Sequence, residues 1–160
     1  MSASAKLRLG DASLVGAEPK SDHGGWETSR WDEVCEKIQD GTHFSPVTDP
    51  SGEFKYLTSK NIRFGYLDLR NVEFIDEPQH RAIYKRCSVR QGDVLLTKDG
   101  ANTGNAAVNS LVEEFSLLSS VALIRPDPRR LSPDFLLQTI LSEQGQRMIK
   151  DAMSGLAISR

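Results

Sequence analysis

Three polar segments of the sequence carry hydrogen-bond donors of the kinds that hold a phosphodiester backbone. They are the loop GTHFSPVTDPSG at 41–52, the cluster TSKN at 58–61 with an arginine nearby, and the loop KDGANTG at 98–104. Backbone amides, small hydroxyls and lysines position a duplex, whereas arginine, asparagine and glutamine can read base edges. The candidate side chains are Thr42, His43, Lys60, Asn61, Arg63, Lys98, Asn102 and Thr103. Each segment alone is also typical of an ordinary solvated loop.

A fourth candidate is the stretch QHRAIYKRCSVRQ at 79–91, which contains no acidic residue. Its basic side chains are Arg81, Lys85, Arg86 and Arg90. Residues 53–100 hold nine basic and seven acidic side chains, whereas residues 1–52 hold five basic and nine acidic ones. The positive potential is therefore local. It indicates either an anion-binding surface or a solvated helix face.

Signatures of other chemistries are weak. The glycines between Gly92 and Gly104 form neither a dinucleotide fingerprint nor a phosphate-binding loop, and the sequence has no amino-methyltransferase catalytic motif, so no cofactor is predicted. The possible zinc ligands are Cys35, His43, His80 and Cys87, at spacings that match no compact zinc site. Asp40 followed by Glu53-x-Lys55 has the outline of a metal-dependent nuclease, but exposed charges beside a turn explain it equally well.

Composition limits the class of protein. The chain has 160 residues, a net charge of −2, a 38% hydrophobic content and two cysteines. These values fit one globular domain in a reducing cytoplasm, without a disulfide framework. No apolar stretch is long enough to span a membrane, and the N-terminus lacks a signal peptide. The net acidity alone argues mildly against a nucleic-acid partner.

The elements that position these segments can be predicted from periodicity. Residues 1–25 lack sustained periodicity and are predicted to be a mobile leader, so the folded domain is expected over 26–160. A short helix is predicted between a Ser29 cap and Gly41, with one face that packs into the core. That face consists of Trp31, Val34, Cys35 and Ile38.

Strand-like patterns follow, and the chain ends in helices. Strands are predicted at 54–57, 61–69, 71–75, 93–97, 106–108 and 119–125, with a brief helix at 79–86. Ser132-Pro133-Asp134 predicts a capped helix start, and Ser142 a second one that runs until Gly155. The expected class is a mixed α+β domain, a twisted β-sheet with flanking helices.

The order of these segments resembles a known family. The chain contains DGTHFSP, then YLTSKNIRFGYLDL, then VRQGDVLLTKDGANTGNAAV, then LIRPDPRRLSPDFLLQTILSEQGQRMI and finally SGLAISR. This order is similar to that of a target recognition domain of the specificity (S) subunit of type I restriction-modification systems. The resemblance covers 26–160. The GDVLLTKDGANTG block combined with the PDFLL helix is its most specific part.

The resemblance implies a DNA-binding domain without catalytic activity of its own. S subunits bind double-stranded DNA sequence-specifically and dock modification and restriction subunits, which supply DNA methylation and cleavage. A whole S subunit has two recognition domains joined by long spacer helices. The second domain and the spacers are absent here, so the chain is expected to read one half of a bipartite target, alone, as a homodimer or paired with another half-subunit.

The expected roles follow from residue type and position in the loops. Predicted phosphate contacts are Thr42, Lys98 and Thr103; predicted base contacts are Lys60, Asn61, Arg63 and His43, with the basic stretch 79–91 widening the electrostatic footprint. The alternatives are a protein-interaction remnant of an S subunit that does not bind DNA productively, and a metal-dependent nuclease.

Overall fold

The computed structural model describes residues 29–158, except for the side chains of 153–158. The predicted leader at 1–25 lies outside these residues. The elements in chain order are α1 (Trp31–Val34), β1 (Cys35–Asp40), β2 (Phe54–Leu57), β3 (Glu73–Ile75), α2 (Glu77–Tyr84), β4 (Val94–Thr97), β5 (Ala106–Val108), β6 (Ser116–Leu117), β7 (Val121–Pro126), α3 (Pro133–Leu141) and α4 (Glu143–Ile158). No helix within the described part is long and apolar enough to cross a membrane.

The strands form two sheets. The larger sheet has the order β1-β7-β4-β5, and all of its pairs are antiparallel. The smaller sheet has the order β3-β2-β6, in which β2 is antiparallel to β3 and parallel to β6. The predicted α+β class is therefore confirmed, with the strands divided between two sheets.

The larger sheet is covered on both faces. Side chains of β4 alternate, so that Leu95 joins one apolar cluster while Val94 and Leu96 join another. The first cluster also contains Leu57 and Phe115, from the side of the smaller sheet. In the second cluster the covering side chains come from α3 and α4. Burial on both faces explains the apolar runs Val94–Leu96 in β4 and Val121–Ile124 in β7.

Helix α3 begins where its cap was predicted. The Ser132 side chain accepts a hydrogen bond from the Phe135 amide at 3.1 Å, and Pro133 occupies the first turn, where it needs no amide partner. Helix α4 is also confirmed, but its predicted end at Gly155 is wrong because the helix continues to Ile158. A glycine inside a helix costs only about 1 kcal/mol, which flanking turns can offset.

The helix predicted between Ser29 and Gly41 is wrong beyond its first turn. The helical part is Trp31–Val34, and Cys35–Asp40 continues as strand β1. This strand pairs with β7, and Ile38 lies opposite Ile124. The apolar spacing of residues 35–40 fits a helix, but the segment forms a strand because its pairing satisfies backbone groups of β7 that would otherwise lack partners.

Two smaller expectations also differ from the structure. Arg30 replaces Ser29 at the start of α1, and its amide donates to Glu33 Oε2 at 2.9 Å. The strand predicted at 61–69 is instead a loop with one antiparallel bridge between Ile62 and Leu67. The predicted core role of Trp31 is confirmed, since it packs against the second apolar cluster together with Cys35 and Ile38.

A buried ion pair lies at the end of the larger sheet. Asp93 accepts hydrogen bonds from Arg125 Nε at 2.7 Å and Nη2 at 2.8 Å, and from the Arg90 amide at 2.7 Å. Arg125 Nη2 also donates to the Ser88 carbonyl at 2.9 Å. The Asp93 carboxylate raises the pKa of Arg125 by this hydrogen bonding. The pair thus joins β4 and β7 to the segment that follows α2.

Replacing Arg125 by methionine should lower the free energy of unfolding by about 3 kcal/mol, because the Asp93 carboxylate remains buried without a counter-charge. Urea unfolding followed by circular dichroism measures the change. The matched control is Arg129→Met, which removes a guanidinium that is 86% exposed although it pairs with Asp127 at 2.9 Å. The control should leave stability nearly unchanged. Equal losses in the two variants would contradict this account.

Candidate nucleic-acid interface

The loop after β1 is held against the smaller sheet at very short range. A Cβ on Gly41 would lie 2.2 Å from the Leu117 carbonyl oxygen, so no larger residue fits there. The next residue, Thr42, donates its amide to the Leu117 carbonyl at 2.7 Å and accepts from the Ser119 amide at 2.8 Å. The Thr42 side chain is buried. It supports the loop from inside and is not accessible to a phosphate.

The same loop projects His43 and Phe44 into solvent beside α2. Loop and helix enclose a groove of about 480 Å³, whose lining includes Ile83, Arg86 and Cys87. Burial raises the pKa of Cys87 to about 11, which keeps its thiol protonated at neutral pH. The groove therefore has an apolar floor and a cationic edge.

Lys98 lies inside the protein, contrary to its expected role as a phosphate contact. Its side chain is 5% exposed, and its ammonium lies 2.7 Å from Asp99 Oδ2 and 3.6 Å from Asp40 Oδ2. Burial raises the pKa of Asp40 in spite of this cation. The Lys98 ammonium thus offsets part of the negative charge of Asp40 and Asp99, and it is engaged with these carboxylates inside the protein.

Asn61 also has a structural role in place of the expected base contact. Its side-chain oxygen accepts from the Thr58 amide at 3.0 Å, and its Nδ2 donates to the Asp68 carbonyl at 3.1 Å. A further donor contact reaches the Asn71 carbonyl at 3.4 Å. The buried amide thus ties together the two ends of the loop, whereas the side chain of its neighbour Lys60 is exposed.

The two other candidates of the loop at 98–104 are half-buried, and their side chains donate to main-chain carbonyls. Asn102 Nδ2 donates to the Ser59 carbonyl at 3.3 Å, and Thr103 Oγ1 donates to the Gly100 carbonyl at 2.6 Å. The structure therefore brings the segments 58–61 and 98–104 together, as neighbours that brace each other. Neither side chain is fully buried, so a nucleic-acid contact at these two positions stays a prediction.

Arg63 is partly exposed, and its guanidinium is only loosely engaged. Its Nε lies 3.7 Å from Asp68 Oδ2, whereas Arg70 Nη2 lies 2.7 Å from the same oxygen. The Arg70 guanidinium, bonded to Asp68, is the main cause that holds the pKa of this carboxyl well below its usual range. Asp68 is therefore held mainly by Arg70, and Arg63 is its weaker partner.

The basic stretch at 79–91 divides into paired and unpaired cations. Arg81 donates to Glu114 at 2.9 Å and lies over the Phe54 ring at 5.6 Å. Lys85 and Arg86 are exposed at the end of α2, and neither forms a side-chain ion pair within residues 29–158. Lys85 and Arg86 therefore provide unpaired positive charge at the end of α2.

Lys37 is a further cation at the end of α2, and the sequence analysis did not identify it. Lys37 Nζ donates to the Arg86 carbonyl and to Ser88 Oγ, both at 3.3 Å. The helix assignment for this segment concealed it, because only strand β1 carries Lys37 next to the end of α2. We call Lys37, Lys85 and Arg86 the cationic rim of the groove.

A serine, a histidine and a glutamate also lie together beneath α2. His80 Nδ1 is 3.0 Å from Ser116 Oγ, and His80 Nε2 is 3.3 Å from Glu114 Oε2. The order of groups is that of a hydrolase triad. However, Ser116 and His80 are fully buried, so no substrate can reach the hydroxyl. The cluster instead fixes α2 to β6, with the His80 ring stacked on Phe54 at 3.9 Å.

No metal site is found within the part of the chain that the structure describes. No group of three or more His, Cys, Asp or Glu side chains there could hold an ion. The nuclease outline has an ordinary explanation as well, since Lys55 pairs with Glu113 at 2.7 Å and Asp40 faces Lys98.

The architecture places the protein in a structural class. Two sheets with terminal helices form the fold found in a type I restriction specificity subunit. The chain is similar to the crystal structure of the HsdS subunit from Thermoanaerobacter tengcongensis, with a TM-score of 0.56 and 17% sequence identity. The match covers 88% of this chain and 40% of the HsdS chain. The resemblance predicted from the sequence is thus confirmed for the fold.

Comparisons based on sequence find nothing further. No protein-family model matches the chain. No curated protein matches it either. The structural comparison matches the chain to less than half of the HsdS length.

The fully buried His80 makes stability depend on pH. Burial lowers its pKa below the ordinary 6.5, so the unfolded state binds more protons in the window below that value. Unfolding free energy should therefore decrease as pH falls through about 6.5. A His80→Gln variant retains hydrogen-bonding groups but cannot titrate, and it should lose less stability between about pH 7.5 and pH 5.5. Denaturant unfolding at each pH tests this, and parallel losses would refute it.

Proposed function

We propose that the chain is a sequence-specific duplex DNA-binding domain of a type I restriction-modification system. The observation that carries the proposal is the likeness of its fold to an HsdS subunit over 88% of the chain. In this proposal the chain reads one half of a bipartite target. Coverage of 40% of the HsdS chain agrees with a single recognition domain.

The cationic rim supports this proposal electrostatically. The net charge of the whole chain is −2, so attraction to DNA must come from a local surface. Lys85 and Arg86 project from the end of α2 without competing carboxylates among the described residues, and Lys37 adds a third positive charge beside them. Exposed, unpaired cations are the groups that replace counterions on phosphates. We assign phosphate contacts to the rim.

Base contacts are assigned to exposed residues of the loops. Lys60 and Arg63 lie on the loop between β2 and β3, and His43 lies beside the groove. Arginine and lysine donate to guanine acceptors in the major groove. Asn61, Lys98 and Thr42 leave the list of direct contacts and become residues that shape these loops.

In this proposal catalysis belongs to partner subunits. Modification and restriction subunits would methylate and cleave DNA, and this chain would direct them to their DNA target. We place this activity in the cytoplasm. The buried His80 cluster supports a non-catalytic role, because its hydroxyl is closed to substrate. A second recognition domain would complete a bipartite site.

The direct test is binding of the isolated chain to mixed-sequence duplexes between about 50 and 200 mM salt. Affinity should fall steeply with salt. The double variant Lys85→Gln/Arg86→Gln should bind all sequences more weakly and should lower the salt slope by about 1 to 2, because each lost phosphate contact removes about 0.9. The control Arg147→Gln removes an exposed α4 cation that pairs with Glu143. Absence of salt-sensitive binding by the unmodified chain would refute the proposal.

Arg63 should affect sequence preference more than affinity. In a selection from random duplexes, Arg63→Gln should relax the preference at one base position, at a cost of about 1 to 3 kcal/mol against the preferred base. The Lys85→Gln variant serves as the control, since it should weaken all sequences alike. If Arg63→Gln instead weakened binding to all sequences equally, Arg63 would be a phosphate contact and not a base contact.

A further inference from the structure

The loop between β2 and β3 exposes two aromatic rings beside Arg63. Phe64 is 55% exposed and Tyr66 is 58% exposed, on either side of Gly65. Large aromatic side chains contribute most when they are buried, so two of them exposed in one turn point to an unfilled contact. We call residues 63–66 the aromatic turn.

The backbone of the aromatic turn is held from several sides. Gly65 has a φ of 96°, a left-handed conformation that glycine adopts without strain. Its amide donates to the Ala106 carbonyl at 2.8 Å, and Arg63 donates its amide to the Tyr66 carbonyl at 2.9 Å. Asn105 Nδ2 reaches the Ile62 carbonyl at 3.2 Å. A turn fixed in this way presents its rings with little further ordering on binding.

Charge around the aromatic turn favours a polyanionic partner. The loop 58–72 contains Lys60, Arg63 and Arg70 against the single acid Asp68, so its net charge is +2. Arg70 neutralises Asp68 through Nε at 2.9 Å and Nη2 at 2.7 Å. The cations nearest the rings are then free of a strong carboxylate partner. Aromatic rings between cations are suited to nucleobases, which offer a stacking face next to phosphates.

We infer that Phe64 and Tyr66 insert against the base stack of bound duplex DNA, and this inference rests on the proposed function. The rings act as an apolar wedge that opens one base step, while Arg63 and Lys60 hold the flanking backbone or base edges. Opening a step costs less at flexible pyrimidine–purine steps. The aromatic turn therefore adds selectivity for deformable sequences to the base contacts.

The test compares Phe64→Ala/Tyr66→Ala with a matched control, Phe135→Ala, which removes a ring that is 57% exposed on α3. The double variant should bind a selected duplex at least about fivefold more weakly, with an unchanged salt slope because no phosphate contact is lost. The control and Tyr66→Phe, which keeps the ring, should bind as the unmodified chain does. Thermal unfolding checks that all variants fold.

A second readout reports the base step itself. The duplex carries 2-aminopurine at successive positions, and its fluorescence should rise on binding at one step with the unmodified chain but not with the double variant. Equal DNA affinities of the double variant and the control, or a lowered salt slope of the double variant, would overturn this inference but not the proposed function. Loss of self-association in sedimentation with DNA binding intact would assign the turn to a protein contact instead. Failure of the unmodified chain to bind DNA would overturn the proposed function as well.

Discussion

Strand β7 has to bury apolar side chains on both of its faces, and the rest of the fold is arranged around that requirement. Leu123 enters the cluster shared with the smaller sheet, while Ile124 enters the cluster covered by α3 and α4. Pairing with β1 and β4 satisfies the backbone on both edges of β7. Two loops are held by this arrangement: the smaller sheet holds the loop after β1, and β5 of the larger sheet holds the aromatic turn through the carbonyl of Ala106.

The predictable parts of the fold were those that local chemistry determines. Ser132 with Pro133 determined the start of α3, and the apolar run ending in Thr97 determined β4. The segment Cys35–Asp40 could not be assigned in this way, because its apolar spacing satisfies a helix as well as a strand. Only β7, distant along the chain, decides between them. The two-residue strand β6 has no periodicity of its own and follows entirely from its pairing with β2.

The polar segments of the candidate site were identified from their residue types, but the direction of their side chains could not be predicted. By residue type alone, Lys98 and Asn61 are as good candidates for a nucleic-acid contact as Lys60. Burial distinguishes them, and burial depends on tertiary contacts such as the pairing of Lys98 with Asp40. The exposed rings of Phe64 and Tyr66 were missed because a strand assigned to this segment would have packed them. The end of α2 was identified from charge alone, since its basic run contains no acid.

The asparagines that hold the loops donate their side-chain amides to main-chain carbonyls. Asn61 donates to Asp68 and Asn71, Asn105 to Ile62, and Asn102 to Ser59. A carbonyl is present whatever side chain the residue carries, so the frame makes no demand on the identity of the residues it holds. Exposed positions between these anchors can exchange side chains without loss of loop geometry. In the proposed DNA-binding role, such a frame lets contact residues change by point substitution while the geometry of the loops stays the same.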